Sequence, residues 1–160
     1  AIQGVARAQG ATVRHFKLHG ALSNMCSENQ AMARACYEAA LSVDPDLIIF
    51  ILAATAQQKA VEALKCRWAG EIFADRAYND DATLVDRARE GAVIHDPAHA
   101  ASRIVKMVQA GAIIAESGAH IPARIDTICL HGDNAAALQI ARTVRAGLET
   151  AGIRLAPVGT

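Results

Sequence analysis

The sequence predicts an α/β fold in which helices alternate with parallel strands, and three observations lead to this prediction. Helix-like and strand-like stretches follow one another along the whole chain. The continuous apolar run at residues 47–52 is typical of a strand buried on both faces, as strands of parallel sheets are. Hydrophobic residues make up 52% of the 160 residues, which is enough apolar surface for one core and argues against disorder. We therefore expect a single domain over residues 1–160.

The first half of the chain contains residues that begin and end helices. Ser27, with Gln30 three residues later, forms a capping box, and Asp44 with Pro45 ends the helical stretch that follows. Thr55 is a suitable N-cap for the next helix. In order, the predicted elements are a helix that ends at Gly10, a strand at residues 12–17, a loop, a helix running towards residue 41, a strand at residues 47–52, and a helix at residues 55–67.

The second half combines shorter strands with two long helices. Asp96 followed by Pro97 opens one helix, which Gly111 closes, and Gly152 ends the other. The polar connection at residues 75–91 is equally consistent with a functional loop and with a solvated surface loop. In order, the predicted elements are strands at residues 71–74 and 91–95, a helix at 96–111, a short strand at 112–115, a strand at 127–130, a helix at 134–150, and a final strand at 154–155.

Charge balance and cysteine spacing argue against several classes of protein. Lys plus Arg and Asp plus Glu each number 16, so no basic field attracts nucleic acid or an anionic membrane surface. The longest apolar run, at residues 47–54, is far shorter than the roughly 20 residues that cross a bilayer, and no signal peptide is visible. The four cysteines lack CxxC or metal-ligand spacing, which is typical of reduced cysteines. We expect a cytoplasmic protein without nucleic-acid or membrane partners. Because the chain begins at Ala1 within a predicted helix, we also expect it to be incomplete.

Polar residues follow three of the predicted strands. His19 and His131 each come after a strand and before a glycine, and Asp75 and Arg76 follow a third strand. Because the carboxyl ends of the strands of a β/α barrel converge on one face, we expect these side chains to share one mouth with Lys17. Together they would supply groups for proton transfer, orientation and anion binding. The simpler explanation for any one histidine is a hydrogen bond to a loop carbonyl, but three equivalent strand ends favour a common site.

Several well-known site motifs are absent from the sequence. It contains no phosphate loop, no dinucleotide-binding glycine motif, no nucleophile elbow and no H-E-x-x-H zinc motif. His95 and His99 are four residues apart, but Pro97 between them favours a junction between a strand and a helix over a metal site. The sequence therefore identifies no metal site and no nucleotide site.

Three segments resemble motifs of the LamB/YcsF family. Residues 17–24, K-L-H-G-A-L-S-N, are similar to its K-P-H-G-A-L-Y-N. Residues 71–78, E-I-F-A-D-R-A-Y, are similar to its E-x-F-A-D-R-x-Y, and residues 126–133, D-T-I-C-L-H-G-D, to its D-T-I-C-V-H-G-D. Residues 91–94 match as well. Motifs of this length in the family's order are specific, and they extend over almost the whole chain.

The chain also departs from the family's pattern. Leu18 replaces a proline, Ser23 a tyrosine, Ala82 a glycine and Asp86 a proline, and these changes affect the shape of the local loops. The family's N-terminal motifs, D-L-N-x-D-x-G-E, G-F-H-A-G-D and G-A-H-P, have no counterpart here. The resemblance therefore covers only the later part of a family member.

The resemblance implies a seven-stranded β/α barrel of the glycoside hydrolase/deacetylase type, here lacking its N-terminal strands. It implies the A component of an ATP-dependent 5-oxoprolinase, which opens the lactam of 5-oxoproline to L-glutamate together with the B and C components. ATP with Mg²⁺ is expected in the complete complex, although no cofactor site is identifiable in this chain. The expected catalytic residues are His19, Asp75, His131 and Asp133, and the expected substrate-binding residues are Lys17, Asn24, Arg76 and Tyr78.

Two other functions are kept as alternatives. The first is a metal-dependent hydrolase of acylated sugars or amides, which the deacetylase-like fold suggests. The second is a non-catalytic or truncated assembly component, because a barrel without its first strands exposes sheet edges and loses part of its mouth.

Overall fold

Helices and strands alternate through the part of the chain that the computed structural model describes, residues 1–132 and 135–158. None of the helices within these ranges combines the length and the apolar character that crossing a bilayer demands. In chain order the elements are α1 (Ile2–Ala8), β1 (His15–Lys17), α2 (Gly20–Glu28), α3 (Gln30–Val43), β2 (Ile48–Leu52), α4 (Ala56–Leu64), β3 (Trp68–Phe73), α5 (Pro97–Ala110), β4 (Ala112–Ile114), β5 (His120–Pro122), β6 (Thr127–Cys129) and α6 (Ala137–Thr150).

Four strands form one sheet in the order β1-β2-β3-β6. Lys17 pairs with Phe50 across β1 and β2, and Phe73 pairs with Cys129 across β3 and β6. All three neighbouring pairs are parallel, which confirms the predicted α/β class. The remaining strands, β4 and β5, form a separate antiparallel pair.

The two faces of the sheet have different environments because strand side chains point alternately to opposite sides. Ile49 and Ile51 of β2 pack into one core cluster with residues of α2, α3 and α4. Ile72 of β3 packs into a second cluster with residues of α5 and α6. Helices therefore cover one face, while Lys17 and Glu71, at alternate positions of their strands, extend from the other.

Two of the predicted helix starts are confirmed by their caps. The Thr55 side chain accepts a hydrogen bond from the Gln57 N–H at the start of α4. The Asp96 side chain accepts one from the His99 N–H at the start of α5. Gly111 ends α5 with a φ of 58°, in the left-handed region where glycine is favoured.

The loop predicted between the first strand and the helix towards residue 41 is wrong, because this segment forms α2. Its N-cap, His19, makes no side-chain capping hydrogen bond, so the sequence lacked a start signal. The predicted capping box at Ser27 is also wrong, since the Ser27 hydroxyl donates to the Asn24 carbonyl within α2. Asn29 caps α3 instead, and its side chain accepts from the Met32 N–H.

Four further differences concern strands. The third strand begins at Trp68, earlier than predicted. The segment at residues 91–95 is not a strand, because its ladder contact is an isolated bridge between Val93 and Arg76. Strand β5 was missed, since a short segment that ends in proline gives no strand signal. No strand forms at residues 154–155.

Candidate active site

The candidate site lies where the carboxyl ends of the parallel strands meet, at one edge of the sheet. Lys17 is the last residue of β1. Asp75 follows β3 by two residues, and His131 follows β6 by two residues. The topology therefore places three of the predicted site residues near one another.

Asp75 and His131 form a hydrogen-bonded pair. The Nδ1 atom of His131 lies 2.8 Å from Oδ2 and 3.0 Å from Oδ1 of Asp75. The backbone N–H of His131 donates to the same Oδ2 at 3.2 Å, so the carboxylate fixes both the ring and its backbone. Because a carboxylate only accepts hydrogen bonds, the neutral imidazole carries its proton on Nδ1 and leaves Nε2 as an acceptor. Such a nitrogen is suited to act as a general base.

Lys17 and Glu71 extend from the face of the sheet that the helices leave uncovered, which we call the charged face, and they form a pair there. The Lys17 ammonium forms an ion pair with the Glu71 carboxylate, whose side chain is only 5% exposed. It also donates to Cys129 Sγ at 3.0 Å and lies 5.2 Å from the centroid of the Phe73 ring. Burial lowers the pKa of Lys17, but the hydrogen bonds and charges of Glu71 and Cys129 outweigh this effect and raise the pKa above 10.5. Lys17 therefore remains a cation at neutral pH.

Cys129 connects the ion pair to the histidine. Its sulfur lies 3.8 Å from Nε2 of His131, on the side opposite Asp75. Burial raises the pKa of the Cys129 thiol despite its hydrogen bond with Lys17, so sulfur keeps its proton at neutral pH. The contacts form a continuous series, which we call the polar chain and which consists of Glu71, Lys17, Cys129, His131 and Asp75.

Arg76 holds the loop that follows β3. Its Nη2 donates to the Val85 carbonyl at 2.6 Å and its Nε to the Ala92 carbonyl at 3.4 Å. Arg103 of α5 donates to the carbonyls of Ala74 and Arg76, which ties the start of this loop to the helix. Arg76 is thus a structural centre of residues 75–94, and its predicted contact with substrate stays a prediction.

Asn24 and Arg76 line the same cavity. It has a volume of about 460 Å³ and lies between α2 and the loop after β3. Its walls are mostly polar, and Glu28 and Arg87 also line it. Two residues predicted to bind substrate are therefore brought together, 52 positions apart in the sequence.

The remaining predicted site residues have different placements. Tyr78 is fully buried, and its hydroxyl oxygen accepts a hydrogen bond from the Phe73 N–H at 2.7 Å. This placement favours support of the strand end over direct contact with substrate. His19 is exposed at the N-terminus of α2, and no hydrogen bond among the described residues joins it to His131. Asp133 lies outside the described residues.

Sequence reasoning missed Glu71 and Cys129 as members of the site. A signal was present for Glu71, because a carboxylate within an otherwise apolar buried strand requires a partner. No comparable signal existed for Cys129, since free cysteines are commonly buried as small apolar residues. Within the described ranges, no group of three or more His, Cys, Asp or Glu side chains is arranged to hold a metal ion.

Comparison with known proteins agrees with the motifs. The model of the LamB/YcsF family matches residues 1–160. The chain belongs to the LamB/YcsF family. The solved structure of the lactam utilization protein from Thermus thermophilus is similar in fold, with a TM-score of 0.84 and 34% sequence identity. That similarity covers 97% of this chain and 62% of the Thermus chain. This LamB/YcsF chain thus shares the parallel, curled half-barrel of its structural neighbour.

Relatives of this LamB/YcsF chain carry a common name. The 5-oxoprolinase A subunit of Ruegeria pomeroyi is 67% identical over 150 residues, which are 94% of this chain and 59% of the relative. The 5-oxoprolinase A subunit of Rhodopseudomonas palustris strain BisA53 is 50% identical over 157 residues, which are 98% of this chain and 62% of the relative. The chain therefore spans about three fifths of the length of these relatives.

Proposed function

We propose that this chain is part of a 5-oxoprolinase A subunit, which hydrolyses the lactam of 5-oxoproline to L-glutamate with consumption of ATP. The B and C subunits are its proposed partners, and the proposed complete fold is a seven-stranded barrel to which this chain contributes the later strands. The observation that carries the proposal is the polar chain, in which a fixed base and a fixed cation lie at the strand ends of a protein similar to one named for lactam utilization.

The chemistry of the reaction fits these groups. A lactam is a resonance-stabilised amide, so its carbonyl carbon resists attack by water. ATP, bound with Mg²⁺ in the complete complex, would supply the phosphoryl group that activates the lactam oxygen, and we assign no residue of this chain to hold it. The chain's own groups then have to remove a proton from water, deliver one to the departing ring nitrogen and stabilise negative charge.

His131 is the proposed proton carrier. The attacking water replaces the Cys129 thiol as hydrogen-bond donor to Nε2, which then takes a proton from the water, and Asp75 holds the Nδ1 proton so that the resulting imidazolium is stabilised. The same imidazolium returns the proton to the ring nitrogen as the C–N bond breaks. The acyl phosphate that remains is hydrolysed by a second water molecule, which releases inorganic phosphate and leaves L-glutamate. His19 and Asp133 are proposed to assist in proton transfer and orientation, as the resemblance implies.

Lys17 and the cavity that Asn24 and Arg76 line are the proposed substrate contacts. The Lys17 ammonium, kept charged by Glu71, would stabilise the developing negative charge. Arg76 and Asn24 line a cavity of about 460 Å³ and are proposed to bind the carboxylate of 5-oxoproline. Tyr78 is proposed to act indirectly, because its hydroxyl supports the end of β3.

The proposed location is the cytoplasm, and the proposed ligand is a small molecule rather than nucleic acid. All four cysteines are free thiols, which fits a reducing compartment. The formal charge of zero provides no attraction for a polyanion.

The proposal is tested by measuring glutamate released from 5-oxoproline. The intact gene product that carries this chain is combined with the B and C subunits, and turnover is compared with and without ATP. We expect ATP-dependent release that His131→Ala abolishes. Wild-type turnover in the His131→Ala variant, or no ATP-dependent release from the complete wild-type mixture, would contradict the proposal.

A further inference from the structure

Cys129 occupies the centre of the polar chain. Its sulfur is 3.0 Å from Lys17 Nζ and 3.8 Å from His131 Nε2, so one side chain contacts both the cation and the base. Cys129 is buried, with 8% of its surface exposed. The position is therefore built into the fold and is not a surface thiol.

The direction of each hydrogen bond follows from the groups involved. The Lys17 ammonium has only donors, so sulfur must be the acceptor in that contact. In the neutral imidazole of His131 with its Nδ1 proton directed to Asp75, Nε2 is an acceptor, and the S–H group is the available donor. Burial raises the pKa of the Cys129 thiol, which keeps this proton on sulfur. The thiol therefore receives one hydrogen bond and donates another.

This arrangement distinguishes Cys129 from a packing residue. A side chain of the same size without a polar atom would fill the space but would leave Lys17 and Nε2 unconnected. A hydroxyl in place of the thiol would keep one donor and one acceptor at the same position. A comparison of the two kinds of replacement therefore distinguishes the effect of the polar atom from the effect of side-chain volume.

We propose that Cys129 is a positioning residue of this site, whose thiol holds the Lys17 ammonium and the Nε2 atom of His131 in fixed relation to each other. The expected effect of Cys129 on turnover rests on the proposed function. The structural content of the inference, the fixed orientation of the His131 ring, stands independently of any reaction.

The experiment compares Cys129→Val with Cys129→Ser in the intact gene product. Valine keeps the volume and removes both hydrogen bonds, whereas serine keeps an acceptor and a donor. Cys66→Val is the matched control, because Cys66 lies on the helix-covered side of the sheet and outside the polar chain. Two quantities are measured: the ¹⁵N chemical shifts of the His131 ring, and turnover of 5-oxoproline with ATP and the partner subunits.

We expect the ¹⁵N shift of His131 Nε2 to change in Cys129→Val and to stay near the wild-type value in Cys129→Ser. Turnover should fall at least tenfold in the valine variant and stay within about threefold of wild type in the serine variant. Cys66→Val should match wild type in both measurements.

Two results would overturn the inference. One is an unchanged Nε2 shift in Cys129→Val, and the other is an equal loss of turnover in the valine and serine variants. Failure of the proposed function is recognised separately, because the complete wild-type mixture would then release no glutamate with ATP, or His131→Ala would leave turnover unchanged. In that case the nitrogen shifts still decide whether Cys129 orients His131.

Discussion

Lys17 Nζ donates a hydrogen bond to Cys129 Sγ at 3.0 Å, and this contact joins the two outermost strands of the sheet, β1 and β6. In a flat sheet these strands would lie roughly 14 Å apart, at about 4.8 Å per neighbouring pair. A lysine side chain does not span that distance to reach a cysteine. The sheet is therefore curled, with the charged face concave, and its curvature concentrates charges from distant strands in one place.

We predict that Asp75→Asn strongly reduces turnover while preserving the fold. The asparagine amide can donate to Nδ1 of His131, which favours the tautomer with its proton on Nε2 and removes the base. In a comparable aspartate–histidine arrangement, this loss of the correct tautomer costs about 10⁴-fold, so we expect a decrease of at least about 10²-fold. The measurement is kcat for ATP-dependent release of glutamate.

The control for this prediction is Asp46→Asn, at an exposed position after α3. It should leave kcat unchanged. A kcat in Asp75→Asn within threefold of the control would show that Asp75 does not orient the base.

We also predict that removing both members of the Lys17–Glu71 pair costs less stability than the sum of the two single changes. Glu71→Gln leaves a largely buried ammonium without its partner, and Lys17→Met leaves a buried carboxylate alone. Each single change should cost about 3 kcal/mol of unfolding free energy. The double variant should lose clearly less than the sum, because neither charge then remains.

Urea denaturation of the wild type, the two single variants and the double variant measures these losses as a double-mutant cycle. The exposed pair Arg34 and Glu38 serves as comparison, since its members are about half exposed and one turn apart on α3. That cycle should give a coupling of no more than about 0.5 kcal/mol. Strict additivity in the Lys17–Glu71 cycle would contradict the predicted coupling.

The Lys17 pair should also make stability depend on alkaline pH. Glu71 and Cys129 raise the pKa of Lys17 in the folded protein above 10.5, in opposition to burial. A raised folded-state pKa means that the stabilisation is fully present below the unfolded-state pKa and is lost as pH rises through the folded-state pKa. The difference in unfolding free energy between wild type and Lys17→Met should therefore be constant from about pH 8 to 10 and shrink at higher pH. A difference that grows above about pH 10.5 would have the wrong sign.

Local signals in the sequence predicted much of the fold. Thr55 and Asp96 sit next to the backbone groups that they cap, so the start of α4 and of α5 could be identified without tertiary information. The apolar run at residues 47–52 likewise identified β2. Helix α2 and strand β5 lack such signals, and they form because the surrounding structure packs against them or pairs with them.

The location of the candidate site could be predicted from the sequence, but the hydrogen bonds between its residues could not. Strand ends carrying His131 and Asp75 could be recognised because parallel strands end on the same side. Their hydrogen bond joins residues 56 positions apart, and the Lys17–Cys129 contact joins residues 112 positions apart. Such contacts depend on the curvature of the sheet, which a single sequence does not encode in any local pattern.

Tyr78→Phe should reduce stability without changing the affinity for substrate. The Tyr78 hydroxyl is the acceptor for the Phe73 N–H, and its loss leaves a buried donor unsatisfied at a cost of about 1–3 kcal/mol. KM for 5-oxoproline should stay within twofold, because the side chain is fully buried. Thermal denaturation and steady-state kinetics test the two parts separately.

Tyr37→Phe is a matched comparison for this change. Tyr37 is also fully buried, and its hydroxyl donates to Gln57 Oε1 at 2.9 Å, on the helix-covered side of the sheet. It should show a similar loss of stability and the same KM. A tenfold rise in KM for Tyr78→Phe alone, with stability intact, would instead indicate direct contact with substrate.

Arg76→Lys should impair recognition of the substrate carboxylate even though the positive charge is kept. A lysine ammonium is a point charge and cannot reproduce the forked geometry by which Arg76 bonds the carbonyls of Val85 and Ala92. The loop at residues 75–94 should therefore loosen, and the cavity that Arg76 shares with Asn24 should lose its shape. We expect KM for 5-oxoproline to rise at least tenfold, while Arg34→Lys on the exposed face of α3 has no effect.

A substrate analogue separates the two roles of Arg76. The amide of 5-oxoproline lacks the carboxylate, so the wild-type protein should bind it far more weakly than 5-oxoproline. If Arg76 contacts the carboxylate, Arg76→Lys should weaken the binding of 5-oxoproline more than that of the amide. The ratio of the affinity for 5-oxoproline to the affinity for the amide should then fall. If Arg76 acts only through the loop, both ligands should weaken equally and limited proteolysis should cut residues 75–94 faster. Equal weakening would therefore remove Arg76 from the proposed substrate contacts and leave it as the residue that holds the loop in place.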